Sequence, residues 1–328
     1  MGASFKYSAR QEQVAGRDAV VLSHDGGGNS ERAMEAWVVP FYGSNLCHFS
    51  VGGRSVIDFD PALLLKHDYT GTPVLYPTPN RVRGGVFRWR GRDYRQVKGG
   101  AVVLEHGLAH SEAWQCGKPV VAAEAASLET WLEFRPGSAV FEAFPFPHLL
   151  GLEFRLTERG VTATYTIRNE GPEEIPFGFG LHPYFQKLSG DENTFLSLPA
   201  DSIMDATSDL LPTGRLVEVS GTIYDLRWPV AVGTLDLDHV FTGLRPGAHA
   251  RVEYRSLGLA VTLEATADFT HLVLYSPRGE GFFCLENQTC STDAHNLSDR
   301  GFARESGLKT VKPGETRQGT VTYAVSFQ

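Results

Sequence analysis

The chain is patterned for strands. Leu152, Phe154 and Leu156 alternate with polar neighbours, Glu158-Arg159-Gly160 interrupts, and Val161, Ala163, Tyr165 and Ile167 resume the alternation. Successive side chains of a strand point to opposite faces, so this reads as a β-hairpin with one buried face. The same design runs from Val252 through a turn at Gly258 to Leu263. Ala36–Tyr42, Cys47–Val51, His271–Tyr275, Phe282–Leu285 and Thr320–Phe327 also read as strands. The 35 glycines and 18 prolines break these runs at short intervals, as turns require. Helical signal is confined to Pro61–His67, behind a candidate cap at Asp60, and more weakly to Ser30–Met34. Many short strands with Gly/Pro turns predict an all-β protein, a large antiparallel sandwich with few short helices. No repeat, linker or composition shift divides the sequence, so residues 1–328 are expected to form a single domain.

Composition narrows the function classes. A chain of 328 residues, 42% hydrophobic, can bury a large core. Its formal net charge of -8 argues against nucleic acid as a partner, since phosphates are met by an excess of Lys and Arg. No stretch is apolar for long enough to span a bilayer, so no membrane partner is expected. Met1 to Arg10 has no apolar core and no small-residue cleavage site, so no signal peptide is evident and a cytoplasmic protein is expected. Met1-Gly2 opens a myristoylation-like pattern, but Lys6 stands where Ser or Thr is needed. Cys47, Cys116, Cys284 and Cys290 form no CxxC pair and read as scattered reduced thiols. Sequons begin at Asn287 and Asn296; without a secretory signal they are chance matches.

Groups that a ligand must reach belong at strand ends and in loops. Five segments there carry chemistry: Tyr76-Pro77-Thr78-Pro79-Asn80-Arg81, Glu105-His106-Gly107-Leu108-Ala109-His110 followed by Trp114, Gly178 to Phe185, Leu237 to Phe241, and Phe283 to Thr289. His182 precedes Pro183, which favours an extended backbone at a strand end; the bland alternative is a structural histidine. Glu286 ends the apolar run Phe282–Leu285 and is expected to be half-buried, which is costly unless the carboxylate is paired or used. The alternative is a surface glutamate after an edge strand. His106 and His110 are spaced as helical metal ligands, but Gly107 and the strand-rich surroundings oppose a helix and the HExxH context is missing, so no metal site is expected. Asp238-His239 reads equally well as a turn pair. Arg88, Arg90 and Arg92 alternate with Phe87, Trp89 and Gly91 and are expected on one solvated strand face. Gly26-Gly27-Gly28 lacks the Lys-Ser/Thr of a phosphate-binding loop and reads as a flexible loop.

Taken in order, these segments resemble a known family. NRVRGGVF (Asn80 to Phe87), HGLAH with a following Trp, GLHPYF (Gly180 to Phe185), LDHVF (Leu237 to Phe241) and LENQT (Leu285 to Thr289) are similar to the ordered motifs of the aldose 1-epimerase, or galactose mutarotase, family. Lys312-Pro313-Gly314-Glu315 before a last strand is similar too, and the resemblance runs from about Tyr42 to Tyr323. It implies a large antiparallel β-sandwich with a monosaccharide bound in a cleft on one sheet. It also implies His182 and Glu286 as the catalytic pair, with His106, Arg81 and Asp238 contacting the sugar and Asn80 beside them. Three positions depart from the pattern. His110 stands where many members carry arginine, Glu105 precedes the His-Gly where an apolar residue is usual, and Asn287 follows the glutamate where proline is common. They bear on which sugar is bound more than on the reaction.

Opening a cyclic hemiacetal takes a proton from the anomeric hydroxyl and gives one to the ring oxygen. A carboxylate suits the first and an imidazolium the second, each contributing about 10²–10⁴-fold when positioned. The expected roles are Glu286 as base and His182 as acid, starting as carboxylate and imidazolium, an arrangement that a nearby carboxylate favours and burial opposes. His106 would hydrogen-bond near the ring oxygen, Arg81 and Asp238 would grip other hydroxyls, and Trp114 or Tyr184 would stack on the ring. The chemistry needs no metal, nucleotide or redox cofactor, and a monomer or homodimer is expected. Three alternatives stay open: a catalytically dead sugar-binding protein, a hexose 6-phosphate epimerase served by the arginine-rich stretch, and a glycoside hydrolase using Glu286 with Asp238.

Overall fold

The structure, a computed structural model, describes residues 6–328. The Met1-Gly2 start considered for lipidation, and half of the segment read for a signal peptide, lie outside the described residues. Among those described, two large sheets of antiparallel strands face each other, one of 13 strands and one of 10. The first runs from Tyr7–Val14 through Arg17–His24, Met34–Val39, Asn45–Val51 and Arg54–Ile57 to Tyr184–Gln186. It continues through Phe282–Gln288, His271–Ser276, Leu237–Leu244 and Ala200–Ala206 to Pro212–Glu218. The second is centred on His148–Thr157, Gly160–Asn169, Thr316–Phe327 and Leu259–Ala265. No described α-helix exceeds six residues, and none is long and apolar enough to cross a membrane.

Periodicity and structure agree where one face is buried. His148–Thr157 and Gly160–Asn169 form the hairpin read from the sequence, Leu152, Phe154 and Leu156 pointing inward with Val161, Tyr165 and Ile167. The inward faces of both sheets join in one apolar cluster, in which the rings of Phe185 and Tyr323 meet across the sandwich at 5.9 Å. Each large apolar side chain fully buried there contributes about 1.5–3 kcal/mol. The helix read at Pro61–His67 is shorter, Pro61–Leu65, with the Asp60 carboxylate accepting from Ala62 N at its start.

Several expectations are corrected. The run Ala36–Tyr42 is a strand only over Met34–Val39, because Pro40 begins a tight turn into Gly43. Ser30–Arg32 and Gly26–Gly28 form single 3₁₀ turns, the second capped by Asp25 rather than loose. Arg88, Arg90 and Arg92 do not share a strand face: Arg90 and Gly91 take positive φ and turn Val86–Trp89 back onto Arg92–Arg95. Arg90 pairs with Glu174, and Arg92 lies 3.5 Å from Glu173. Asp238 and His239 are not a turn pair but sit inside the strand Leu237–Leu244. Trp114 is buried, its indole N–H donating to the Ala109 carbonyl, and offers no free ring to a ligand.

Candidate active site

Glu286 lies inside the strand Phe282–Gln288, not at its end, and is only 1% exposed. Alternation along this strand puts Cys284, Glu286 and Gln288 on the face away from the second sheet. Tyr184 pairs with Cys284 on one side and Val273 with Glu286 on the other. The short strand Gly180–Leu181 pairs with Gln288, and His182 follows directly. Residues 104 apart in the chain thus meet: His182 Nε2 stands 3.3 Å from Glu286 Oε1.

Two loops cover this face. His182 N donates to the Pro73 carbonyl and Tyr184 N to that of Gly71, which holds the first loop against the sheet. The second loop is tied to the first by His106 N to Asn80 O at 2.8 Å and Leu108 N to Tyr76 O at 2.7 Å. Asn80 and His106 both take left-handed backbone conformations, φ 56° and 57°, which outside glycine mark strain held by the surroundings. Glycine must follow His106, since a Cβ on Gly107 would lie 2.3 Å from the Tyr76 carbonyl oxygen. These positive-φ residues are why His106 and His110 do not share a helix.

The loops deliver a cluster of rings. His106 meets His182 edge to face at 5.3 Å, and Tyr184 stacks on His182 at 5.0 Å. Tyr69 lies between His106, at 4.6 Å, and His110, at 5.2 Å. Nδ1 of His106, His110 and His182 is each buried without a partner. Buried unpaired polar atoms are rare, and three of them in neighbouring rings make this a candidate site. Among the described residues no group of three His, Cys, Asp or Glu is arranged to hold a metal ion.

Glu286 is held from behind. Gln288 Nε2 donates to Glu286 Oε2 at 2.8 Å, and Asn80 Nδ2 donates to Gln288 Oε1 at 3.0 Å. Burial pushes the Glu286 carboxyl well above the ordinary carboxylate range, against the opposing pull of the Gln288 donor. Burial also pushes His182 down to about 4 and His106 well below the ordinary histidine range. Burial thus favours the neutral form of each partner in the His182–Glu286 pair. His110 is held neutral in the same way, at about 4.

Arg81 and Asp238 stand at the other end of the site. Both line a cavity of about 320 Å³ that also touches Asn80 and Val273. Asp238 is reached by solvent, yet crowding by the cavity wall raises its carboxyl above the ordinary range, with Arg81 pulling it back. It lies two strands over and two residues along from Glu286, about 12 Å at an inter-strand spacing of about 4.8 Å and a rise of about 3.3 Å per residue. Arg81 approaches Glu105 at 3.9 Å, both side chains partly exposed. A second cleft opens beyond Tyr184, bordered by Tyr69, Asp58, Asp60, Asp68 and Glu280.

The sequence motifs therefore converge: His106 and His182 meet beside Glu286, Asn80 is linked to Glu286 through Gln288, and Arg81 and Asp238 line the neighbouring cavity. Sequence reasoning missed Gln288 and Tyr69. Two-residue periodicity could have found Gln288 beside Glu286; nothing local marks Tyr69.

Comparison with known proteins bears on the family and the fold. The family described as aldose 1-epimerase matches residues 30–324. The chain is 28% identical over 263 residues to the uncharacterised protein YphB of Escherichia coli, covering 77% of this chain and 83% of that one. It is 27% identical over 264 residues to the galactose mutarotase of Bos taurus, covering 71% and 75%. A galactose mutarotase-like protein from Clostridium acetobutylicum superposes with a TM-score of 0.84 at 23% identity, over 99% and 100% of the two chains. The galactose 1-epimerase of Lactobacillus acidophilus superposes with a TM-score of 0.75 at 19% identity, over 99% of each.

Proposed function

The chain belongs to the aldose 1-epimerase family, and from that premise we propose that it is a mutarotase, interconverting the α and β anomers of a free aldose. The observation that carries the reading is the buried pair, His182 Nε2 at 3.3 Å from Glu286 Oε1, on a face walled by hydrogen-bonding groups. Mutarotation needs an acid and a base that exchange roles. A pair of adjacent groups that share one exchangeable proton meets that need.

In this mechanism Glu286 takes the proton of the C1 hydroxyl as His182 gives one to the ring oxygen. The C1–ring oxygen bond breaks and an open-chain aldehyde forms. Rotation about C1–C2 presents the other face of the carbonyl. On reclosure His182 removes the proton from the attacking hydroxyl and Glu286 returns one to the carbonyl oxygen. Neutral acid with neutral imidazole is then the state that accompanies the open chain. The Gln288 N–H steadies the carboxylate form before and after it. His106 supports the ring oxygen, and Arg81 and Asp238 hold distal hydroxyls so that C1 meets Glu286. Tyr184, already parallel to His182, offers a face to the sugar.

The surroundings favour an uncharged sugar over a phosphorylated one. Asp58, Asp60, Asp68 and Glu280 border the cleft beside Tyr184, so a phosphate on that side of the sugar would meet like charge. Of the arginine-rich stretch, Arg90 and Arg92 are engaged by glutamates on a hairpin outside the site. Exchange of the anomeric proton signals, followed by magnetisation transfer with glucose, galactose and glucose 6-phosphate, tests the proposal. Accelerated exchange of the free sugars is expected, and its absence for every aldose tried would contradict it.

A further inference from the structure

Two connections of the chain cross between the large sheets. Residues 245–249 lead from Leu237–Leu244 in the first sheet to Ala250–Tyr254 in the second, and residues 266–270 lead from Leu259–Ala265 in the second to His271–Ser276 in the first. Both crossings border one cavity of about 570 Å³, which is also lined by residues of both sheets. This volume is within the range of small-molecule sites and exceeds the 320 Å³ of the cavity at Arg81 and Asp238. Neither His182 nor Glu286 borders it.

The buried part of its wall is apolar, made by Ala250, Leu263, Phe269 and Leu272. One polar side chain interrupts it. Asn287 pairs with Leu272 across the strands, and alternation turns it to the opposite face of the strand from its neighbours Glu286 and Gln288. Asn287 is 4% exposed, and its Oδ1 has no hydrogen-bond partner among the described residues. A buried amide left unpaired is costly, and a group entering the cavity that completes its hydrogen bonds removes that cost. The three hydroxyls that line the cavity are already engaged. Thr242 donates to the Thr270 carbonyl at 3.4 Å, Thr270 donates to that of Thr289 at 3.0 Å, and Thr266 Oγ1 accepts from Thr320 N at 3.0 Å. Charge at the mouth is balanced: Asp201 holds Arg245 at 2.8 Å, and Arg304 and Glu305 bring opposite signs. Apolar walls, balanced charge and one unspent amide suit an uncharged ligand with a single polar group.

We propose that this cavity is a binding site for an uncharged amphipathic alcohol, an apolar body of one or two rings bearing one hydroxyl. The rings lie against Leu263, Phe269 and Leu272, and the hydroxyl pairs with the Asn287 amide. A hydroxyl donates and accepts, as a carboxamide does, so the two are matched. An apolar cavity of about 150 Å³ holds a benzene ring, so the larger space here admits two fused rings with a short arm. The site lies apart from the acid and base, and its occupancy does not depend on the mutarotase reading.

The probe is 2-(2-naphthyl)ethanol, compared with 2-ethylnaphthalene, which lacks the hydroxyl, and 2-naphthylacetate, which carries a charge in its place. Equilibrium dialysis against the full chain gives Kd for the wild type, Asn287→Leu and Ala267→Trp. Ala267 is exposed at the mouth, so the second variant narrows the cavity without disturbing the core. The alcohol is expected to bind the wild type with Kd below about 100 µM, and each analogue at least about 10-fold more weakly. Ala267→Trp should weaken the alcohol at least about 10-fold, and Asn287→Leu should abolish its advantage over 2-ethylnaphthalene. A weaker wild-type Kd, an analogue that binds as tightly as the alcohol, or binding unmoved in Ala267→Trp would overturn the site. If Asn287→Leu is unfolded by circular dichroism, the analogues and Ala267→Trp decide.

Discussion

Asn80 and Gln288, 208 residues apart in the chain, join their side-chain amides in a two-way hydrogen bond: Asn80 Nδ2 donates to Gln288 Oε1 at 3.0 Å, and Gln288 Nε2 donates back to Asn80 Oδ1 at 3.3 Å. Gln288 Nε2 is also the donor to Glu286. The first covering loop and the carboxylate are thereby locked to one another. Gln288→Leu removes the hydrogen bond that favours the carboxylate form of Glu286, a contribution of about 1.5–3 kcal/mol to that form. kcat/KM is expected to fall at least about 10-fold. The high-pH limb of its pH profile should move upward, because the donor that favours the carboxylate form is gone. A purely structural role would lower activity without moving that limb.

The pH profile of the wild type follows from the shared proton. The working pair carries one proton. It gains a second when His182 is protonated, which burial delays until about 4. It loses its only proton when the raised carboxyl of Glu286 ionises with His182 neutral. The acid limb of kcat/KM should therefore fall near pH 4, well below the ordinary histidine value of 6.5, and the alkaline limb above the ordinary carboxylate range. An acid limb at 6 to 6.5 would contradict a buried, neutral His182.

Arg81 and Asp238 touch the far end of the cavity rather than the reacting atoms, so they should act through binding. Arg81→Ala and Asp238→Asn are each expected to raise KM about 10-fold while lowering kcat less. Initial-rate measurements over a range of sugar concentrations separate the two. A change confined to kcat would move these residues to the chemical step.

Stability should depend on pH through three histidines outside the site. His148, His271 and His295 are fully buried and burial holds each at about 4. Nδ1 of His148 donates to the Phe146 carbonyl, which leaves Nε2 to accept from the Tyr76 hydroxyl and fixes a neutral ring. Unfolded, each takes a proton near 6.5, so between 6.5 and 4 the unfolded chain binds more protons than the folded one. Stability is full above 6.5 and falls as pH drops toward 4, by up to about 1.4 kcal/mol per unit for each histidine. Calorimetry from pH 7.5 to 4.5 should show Tm declining steeply below 6.5. A flat Tm between 7 and 5 would contradict neutral burial.

Strands that bury one face were readable because their period is two: the hairpin from Leu152 to Ile167 needed nothing else. Strands buried on both faces were read short. Phe282–Leu285 extends to Gln288, and Glu286 is fully buried where half-burial was expected, because two distant loops cover it. No local pattern announces that cover, and the same long-range packing hides Tyr69 and withdraws Trp114. The arginines at 88, 90 and 92 misled for a local reason: positive φ at Arg90 and Gly91 made a turn where alternation implied a strand. The other site residues were named through ordered motifs, and geometry adds what motifs lack, the 3.3 Å approach of His182 to Glu286.

The most direct test of the account is polarimetry of freshly dissolved α-D-galactose and α-D-glucose, with the spontaneous rate subtracted, for the wild type, His182→Ala and Glu286→Gln. The account predicts rapid relaxation by the wild type and a loss of about 10²–10⁴-fold in kcat for each variant, with both proteins folded by circular dichroism. Full activity in Glu286→Gln would contradict the central claim that this carboxylate is the base.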